Sequence, residues 1–311
     1  MKIASLLSIA VLIILLLSAP LPALADRDPG YFYDSVDVDI LIRPDSDLQV
    51  SELQNFRFQS GDFHGGYRSI PTDKLVSIDN VEVWEGATRY PLNPEVRDWV
   101  KKRISSGKVI GREEYGYATW TEGNRFWIGW WFPTTMSGSK AIEVKYTAHG
   151  ALRIHDTVDR LYWKAIWPDR TAGINSATIT VHLPGKVDTS LVTLKSYGAA
   201  AESRILDDGV TVVFSCGGVV PSQEVELDIA WPHGLVAADA PSWQAGAEES
   251  ETAASADRQR KAYYDGEVKP YVNLIMFVLA LLVVPLAAVI WLKGALKRRG
   301  QAVELQRDYG P

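Results

Sequence analysis

The chain has 311 residues, 47% hydrophobic, 10% aromatic and 23% charged, which is too long for one small domain and too apolar for a disordered chain. Its single cysteine excludes an intramolecular disulfide framework and any Cys-x-x-Cys zinc or redox site. A formal net charge of −6 argues against a nucleic-acid-binding surface, which needs a basic patch.

Residues 1–25 read as a secretory signal peptide. Lys2 supplies the positive start, residues 3–17 form an apolar run, and Ala23-Leu24-Ala25 offers a small-x-small cleavage site before Asp26. An uncleaved signal anchor is the competing reading, but the run is short for a spanning helix and Pro20 and Pro22 break it.

From residue 31 to about 235 the dominant signal is period-two alternation with turn residues between the runs. Val36, Val38, Ile40 and Ile42 share one face while Asp37 and Asp39 take the other. After a turn at 43–47, Leu48, Val50, Phe56 and Phe58 resume the pattern, and runs around Ile142, Ile179, Val212 and Leu227 repeat it. No strand alternates with a helix of βαβ length, so a parallel α/β sheet is not expected. One helical segment is predicted at 94–105, where Asn93 can cap, Pro94 can occupy the first turn, and Val96, Trp99, Val100 and Ile104 recur at helical spacing. The fold class is therefore all-β: residues 26–236 form an antiparallel β-sandwich with a short helical insertion.

Two segments of this region carry candidate site residues. In Phe63–Pro71, two glycines allow a tight or bulged crossing, and Arg68 can pair with a strand carboxylate such as Asp37 or Asp39. The functional alternative has His64 and Arg68 binding an anionic ligand. Farther on, a hairpin turning at Glu122-Gly123-Asn124 places Phe126, Ile128, Trp130 and Phe132 on one face, and Trp127 and Trp131 on the other with Gly129 between them. The first face is core. The second is either covered by the predicted helix or is an open aromatic platform for a sugar ring or a partner protein.

The composition changes at 237–270 to Ala, Glu, Ser and Asp, an acidic stalk that cannot bury a core. Residues 271–292 follow as a nearly continuous apolar segment, interrupted only by Asn273 and Pro285. At 1.5 Å per residue it gives about 33 Å of helix, enough to cross a bilayer once. The tail 293–311 begins with Lys293, Lys297, Arg298 and Arg299, which marks it as cytoplasmic. The expected location is the plasma membrane, with the large N-terminal domain extracytoplasmic. The tail carries a net +3 and Lys2 a further +1, leaving −10 for everything between; the exported part is acidic and is repelled by anionic headgroups and polyanions.

No catalytic constellation is readable. His64, His149, His155, His182 and His233 show no zinc-binding spacing, and Asp45-Ser-Asp47 lacks the rest of a calcium loop. His155 with Asp156 and Asp159 reads as a solvated acidic loop, and Cys216 as a small buried residue. There is no Gly-x-Ser-x-Gly elbow or phosphate-binding glycine loop. The expectation is no enzyme, no metal and no cofactor.

Several pieces of the exported region, taken in order, resemble the YciQ-like predicted membrane proteins, whose exported N-terminal domain is a domain of unknown function. They are the acidic alternating strand and hairpin of 31–58, Phe-His-Gly-Gly-Tyr-Arg-Ser-Ile-Pro at Phe63–Pro71, Ile128-Gly129, the strand from Ile142 to Gly150, Leu161-Tyr162-Trp163, and Trp231-Pro232-His233-Gly234. Trp130 and Lys164 stand where that family commonly has aspartate and asparagine, and such proteins often continue into further membrane spans. The resemblance implies a membrane-tethered exported β domain and no particular activity. Together these features predict a single-pass anchored module that binds a protein partner in the cell envelope. The alternative is a carbohydrate or cell-wall binding module using Trp127 and Trp131.

Overall fold

The computed structural model describes residues 30–106, 113–252, 267–279, 291 and 293–294. The predicted signal peptide, half of the predicted membrane segment and most of the basic tail lie outside the described residues. The chain divides between Gln244 and Ala245 into two units.

The first unit is built on strands, as the period-two pattern predicts. In chain order they are β1 (Tyr31–Ile42), β2 (Leu48–Phe58), β3 (Phe63–Pro71), β4 (Ser77–Glu85), β5 (Thr88–Arg89), β6 (Gly116–Glu122), β7 (Arg125–Thr135) and β8 (Gly138–His149). They continue with β9 (Leu152–Ile154), β10 (Val158–Ile166), β11 (Ile174–His182), β12 (Thr193–Gly198), β13 (Glu202–Ile205), β14 (Thr211–Val219) and β15 (Val225–Pro232). A helix, α1 (Glu95–Ser106), falls where the helical spacing predicted it. Asn93 caps it through a bond from the Glu95 backbone N–H to Asn93 Oδ1 at 3.1 Å, which satisfies one of the orphan donors of the first turn.

Three sheets result: an eight-stranded sheet ordered β13-β14-β11-β1-β2-β8-β4-β5, a four-stranded sheet β12-β15-β10-β9, and a three-stranded sheet β3-β7-β6. One contiguous core joins them, with Val38, Ile40 and Val144 of the large sheet meeting Ile128 and Trp130 of the small one and Leu161, Leu227 and Ile229 of the four-stranded one. This is the expected layered β architecture, with one correction. The antiparallel expectation fails at the centre of the large sheet, where β1 and β11 run parallel from Tyr33↔Ile174 to Leu41↔His182. Side chains alternate between faces with the same period in both strand directions, so the pattern that located these strands is blind to their direction.

The domain continues beyond its last strand. Trp243 donates its indole N–H to the Gly150 carbonyl at 2.7 Å, and Gln244 pairs with the Ile154 backbone, accepting its N–H and donating to its C=O, both at 2.9 Å. In the second unit, 269–279 is helical, and Tyr271, Leu274, Ile275, Met276 and Phe277 are exposed. Among the described residues no helix is long and apolar enough to cross a membrane.

Candidate ligand cavity

The two faces of the three-stranded sheet have different fates. Its inner face, with Ile128, Trp130 and Phe132, enters the main core. Its outer face is covered by α1, whose Val96, Trp99 and Val100 form a second cluster with Ala118 and Trp131. The helix can approach because Gly129 leaves room: a Cβ there would lie 3.0 Å from the Trp120 ring and 3.1 Å from Val100. Trp131 is 2% exposed, with its ring 5.7 Å from Trp99 and edge-on to it. Trp127 is half-buried, stacked on Trp120 at 5.8 Å and against Tyr67 at 5.4 Å. Of the two alternatives for this face, coverage by the helix holds at Trp131, while Trp127 stays half-buried. An amphipathic helix occupies the face a sugar ring would need, and burying these rings stabilises the helix as well.

The anion pair of His64 and Arg68 is corrected for a related reason. Residues four apart on a regular strand share a face, but the β3–β7 register shifts between Phe63 and Gly65. His64 stacks on the outward Trp131 at 5.4 Å, while Arg68 is buried on the inner side. Its guanidinium Nε lies 2.9 Å from both carboxylate oxygens of Glu52 on β2, and Nη1 and Nη2 donate to the carbonyls of Ser69 (2.7 Å) and Lys164 (3.2 Å). Glu52 also accepts the Tyr146 hydroxyl at 2.7 Å, and burial with the adjacent carboxylate pushes that phenol well above its ordinary pKa. Arg68 thus bolts the small sheet to the large one. The expected pairing with a strand carboxylate holds in kind, but the partner is Glu52; Asp37 and Asp39 lie on the other phase of the alternation.

The glycines of β3 serve close approach, next to the bulged register at Phe63/Gly65 that the sequence allowed. A Cβ on Gly65 would stand 2.1 Å from the Trp130 carbonyl oxygen, and one on Gly66 would stand 2.6 Å from the Trp130 ring. Two further sequence readings meet the structure here. Asp159 is not part of a solvated loop: it is buried on β10 and bonded to His233 Nδ1 at 2.8 Å. Cys216 is buried on β14, and burial raises its thiol pKa, which keeps it protonated.

Where β3, β7, α1, the ends of β1 and β2 and the loop after β10 converge, they line a half-open cavity of about 540 Å³. Nine aromatic side chains line it: Tyr31 and Tyr33 from β1, Phe56 and Phe58 from β2, Phe63 and Tyr67 from β3, Trp130 and Trp131 from β7, and Trp167 from the loop. The indole N–H groups of Trp130 and Trp131 are buried without a partner. The polar lining is His64, Asp62, Arg103, Asp169 and Arg170. Burial holds the His64 imidazole below its ordinary pKa, so it is neutral near pH 7. Asp169 is engaged, accepting from Arg125 and from Ser69. Among the four predicted site residues, His64 and Trp131 therefore meet in one cavity, and Arg68 and Trp127 lie outside it. Among the described residues no cluster of His, Cys, Asp and Glu is placed to hold a metal ion.

Trp167 and Arg170 belong to a loop whose sequence, Trp-Pro-Asp-Arg, has no periodicity to flag it. Glu52 did leave a signal: with Leu48, Val50 and Phe56 inward, position 52 falls on the buried phase, where a carboxylate demands a partner.

The family model described as the predicted membrane protein (DUF2207) N-terminal domain matches residues 32–231. No curated protein matches the chain at a significant level. Among solved structures, a "putative nutrient binding protein" from Legionella pneumophila is similar, at 7% identity and a TM-score of 0.38, over 65% of this chain and 67% of that one. An M1 zinc metallopeptidase from Deinococcus radiodurans is similar at 7% identity and a TM-score of 0.34, over 65% of this chain and 42% of its own.

Proposed function

The chain belongs to the DUF2207 family of predicted membrane proteins, and from that premise we propose that it is a non-enzymatic, membrane-anchored binding module whose ligand site is the aromatic cavity. The observation that carries this reading is the cavity itself. Its volume lies within the range of small-molecule sites, and its walls are mostly aromatic with a few polar groups, the composition such sites share.

The anchor follows the sequence. The signal at 1–25 directs export, 271–292 crosses the plasma membrane once, and the tail 293–311 stays in the cytoplasm, leaving the β domain outside. The exposed apolar side chains of 271–279 suit a lipid surround. The glycan reading is not carried further, because α1 covers Trp131.

Native mass spectrometry of the full chain extracted from its membrane tests the site. The expected result is a co-purifying small molecule that disappears in Ile104→Trp, a substitution at an exposed cavity residue of α1. A compound retained in that variant would place the ligand elsewhere. A reporter fused after Gly310 is expected to be active only in its cytoplasmic form, and N-terminal sequencing should return Asp26.

A further inference from the structure

Arg170 is the group in the cavity wall that the fold does not account for. It is 4% exposed. Its Nη1 donates to the carbonyls of Ala172 (2.8 Å) and Val220 (2.9 Å), and its Nη2 to that of Gln223 (2.5 Å). The Nε–H has no partner, and among the described residues no carboxylate pairs with this guanidinium. The neighbouring Asp169 is taken by Arg125 and Ser69. Carbonyl dipoles solvate a cation but do not neutralise it, and a buried charge without a counter-ion is costly. Burial accordingly lowers the pKa of this arginine.

The other charged groups of the lining do not supply the missing charge. Asp62 and Arg103 are both exposed and of opposite sign, and His64 is neutral. The walls are mostly aromatic rings. Building on the reading of the cavity as a ligand site, we propose that its ligand is an anionic amphiphile: an apolar body against the aromatic walls and one carboxylate or phosphate head at Arg170.

The test uses the full chain in phosphatidylcholine nanodiscs, titrated with octanoate, octyl phosphate and octanol and followed by indole fluorescence and calorimetry against empty discs. At least one of the two anions is expected to bind about tenfold or more tightly than octanol, the margin of a charge-assisted hydrogen bond. The preferred anion distinguishes a carboxylate source from a phosphate one. Arg170→Met should erase that margin and leave octanol affinity unchanged. Where Arg170→Met does not fold, Ile104→Glu decides: it retains the arginine and adds a negative charge at an exposed cavity residue, so it should weaken the anions and spare the alcohol. Octanol binding as tightly as both anions, or a margin that survives in both variants, would overturn the anion assignment while leaving the cavity a binding site. Failure of all three probes to bind would overturn the cavity reading itself.

Discussion

Two buried arginines set two regions of this domain apart. Arg68 sits between the sheets, held by both oxygens of Glu52, with Tyr146 completing the carboxylate's bonds. Arg170 sits in the cavity wall, held by three backbone carbonyls and, among the described residues, by no anion. Both are nearly inaccessible to water, so burial alone does not distinguish them. The difference lies in what neutralises each charge: the first is satisfied within the fold, while the second leaves room for a charge from outside. A buried arginine is thus structural or receptive according to its counter-ion.

The contrast can be broken first at Arg68. Arg68→Met should strip Glu52 of its partner and cost about 3–5 kcal/mol, measured by urea unfolding, whereas Arg68→Met with Glu52→Leu should regain most of the loss. Equal losses in the single and double variants would mean that packing, not charge, is at stake there. Gly66→Ala separates these two causes directly. It leaves both charges in place, but its Cβ meets the Trp130 ring at 2.6 Å, and a loss of about 1–3 kcal/mol is expected from overpacking. Arg170→Met should be milder, about 1–2 kcal/mol, since three carbonyls lose donors while an uncompensated charge is removed. A loss as large as that of Arg68→Met would erase the distinction between the two arginines.

The smallest effect sharpens the comparison from the surface. His149 lies between two carboxylates, Nδ1 2.8 Å from Asp47 and Nε2 2.9 Å from Asp79. Both raise its pKa, Asp79 the more, against a partial desolvation. A raised pKa means that the folded state holds the proton more tightly than the unfolded chain. The stabilisation is therefore full below the unfolded value of about 6.5 and is lost as pH rises through the folded value. Wild type should exceed His149→Gln by at most about 1 kcal/mol near pH 6, with the gap closing at higher pH. A gap that is constant with pH would remove the charge from the explanation.

The legible part of this molecule was its alternation. Strands β1, β2, β8, β11, β14 and β15 lie where inward aliphatics repeat every second residue, and α1 lies within one residue of its predicted bounds. Strand β4 escaped notice because Asn80, with a positive φ of 50°, sits within a register shift between Asp79 and Glu82 and breaks the period. Two of the four predicted site residues, His64 and Trp131, do line the cavity, but they were not visible as a site. Which face each occupies depends on a register shift in β3 and on a helix docking from elsewhere. Arg170 was beyond reach, since its partners are carbonyls of residues up to 53 positions away and backbone groups leave no mark in a sequence.

The parallel pairing at the centre of the large sheet also has a consequence in time. Asp39 and His182 touch across that seam, 143 residues apart in the chain. A polypeptide is synthesised from its N-terminus, so β1 and β2 can close as a hairpin early, but the other edge of β1 stays open until β11 arrives. For most of its synthesis the nascent domain carries an unpaired strand edge with Asp37 and Asp39 along it, and charge on an edge is what keeps such strands from pairing with the wrong chain. The acidic alternation at the start of this domain thus acts twice: it marks a strand, and it guards that strand until its distant neighbour is delivered.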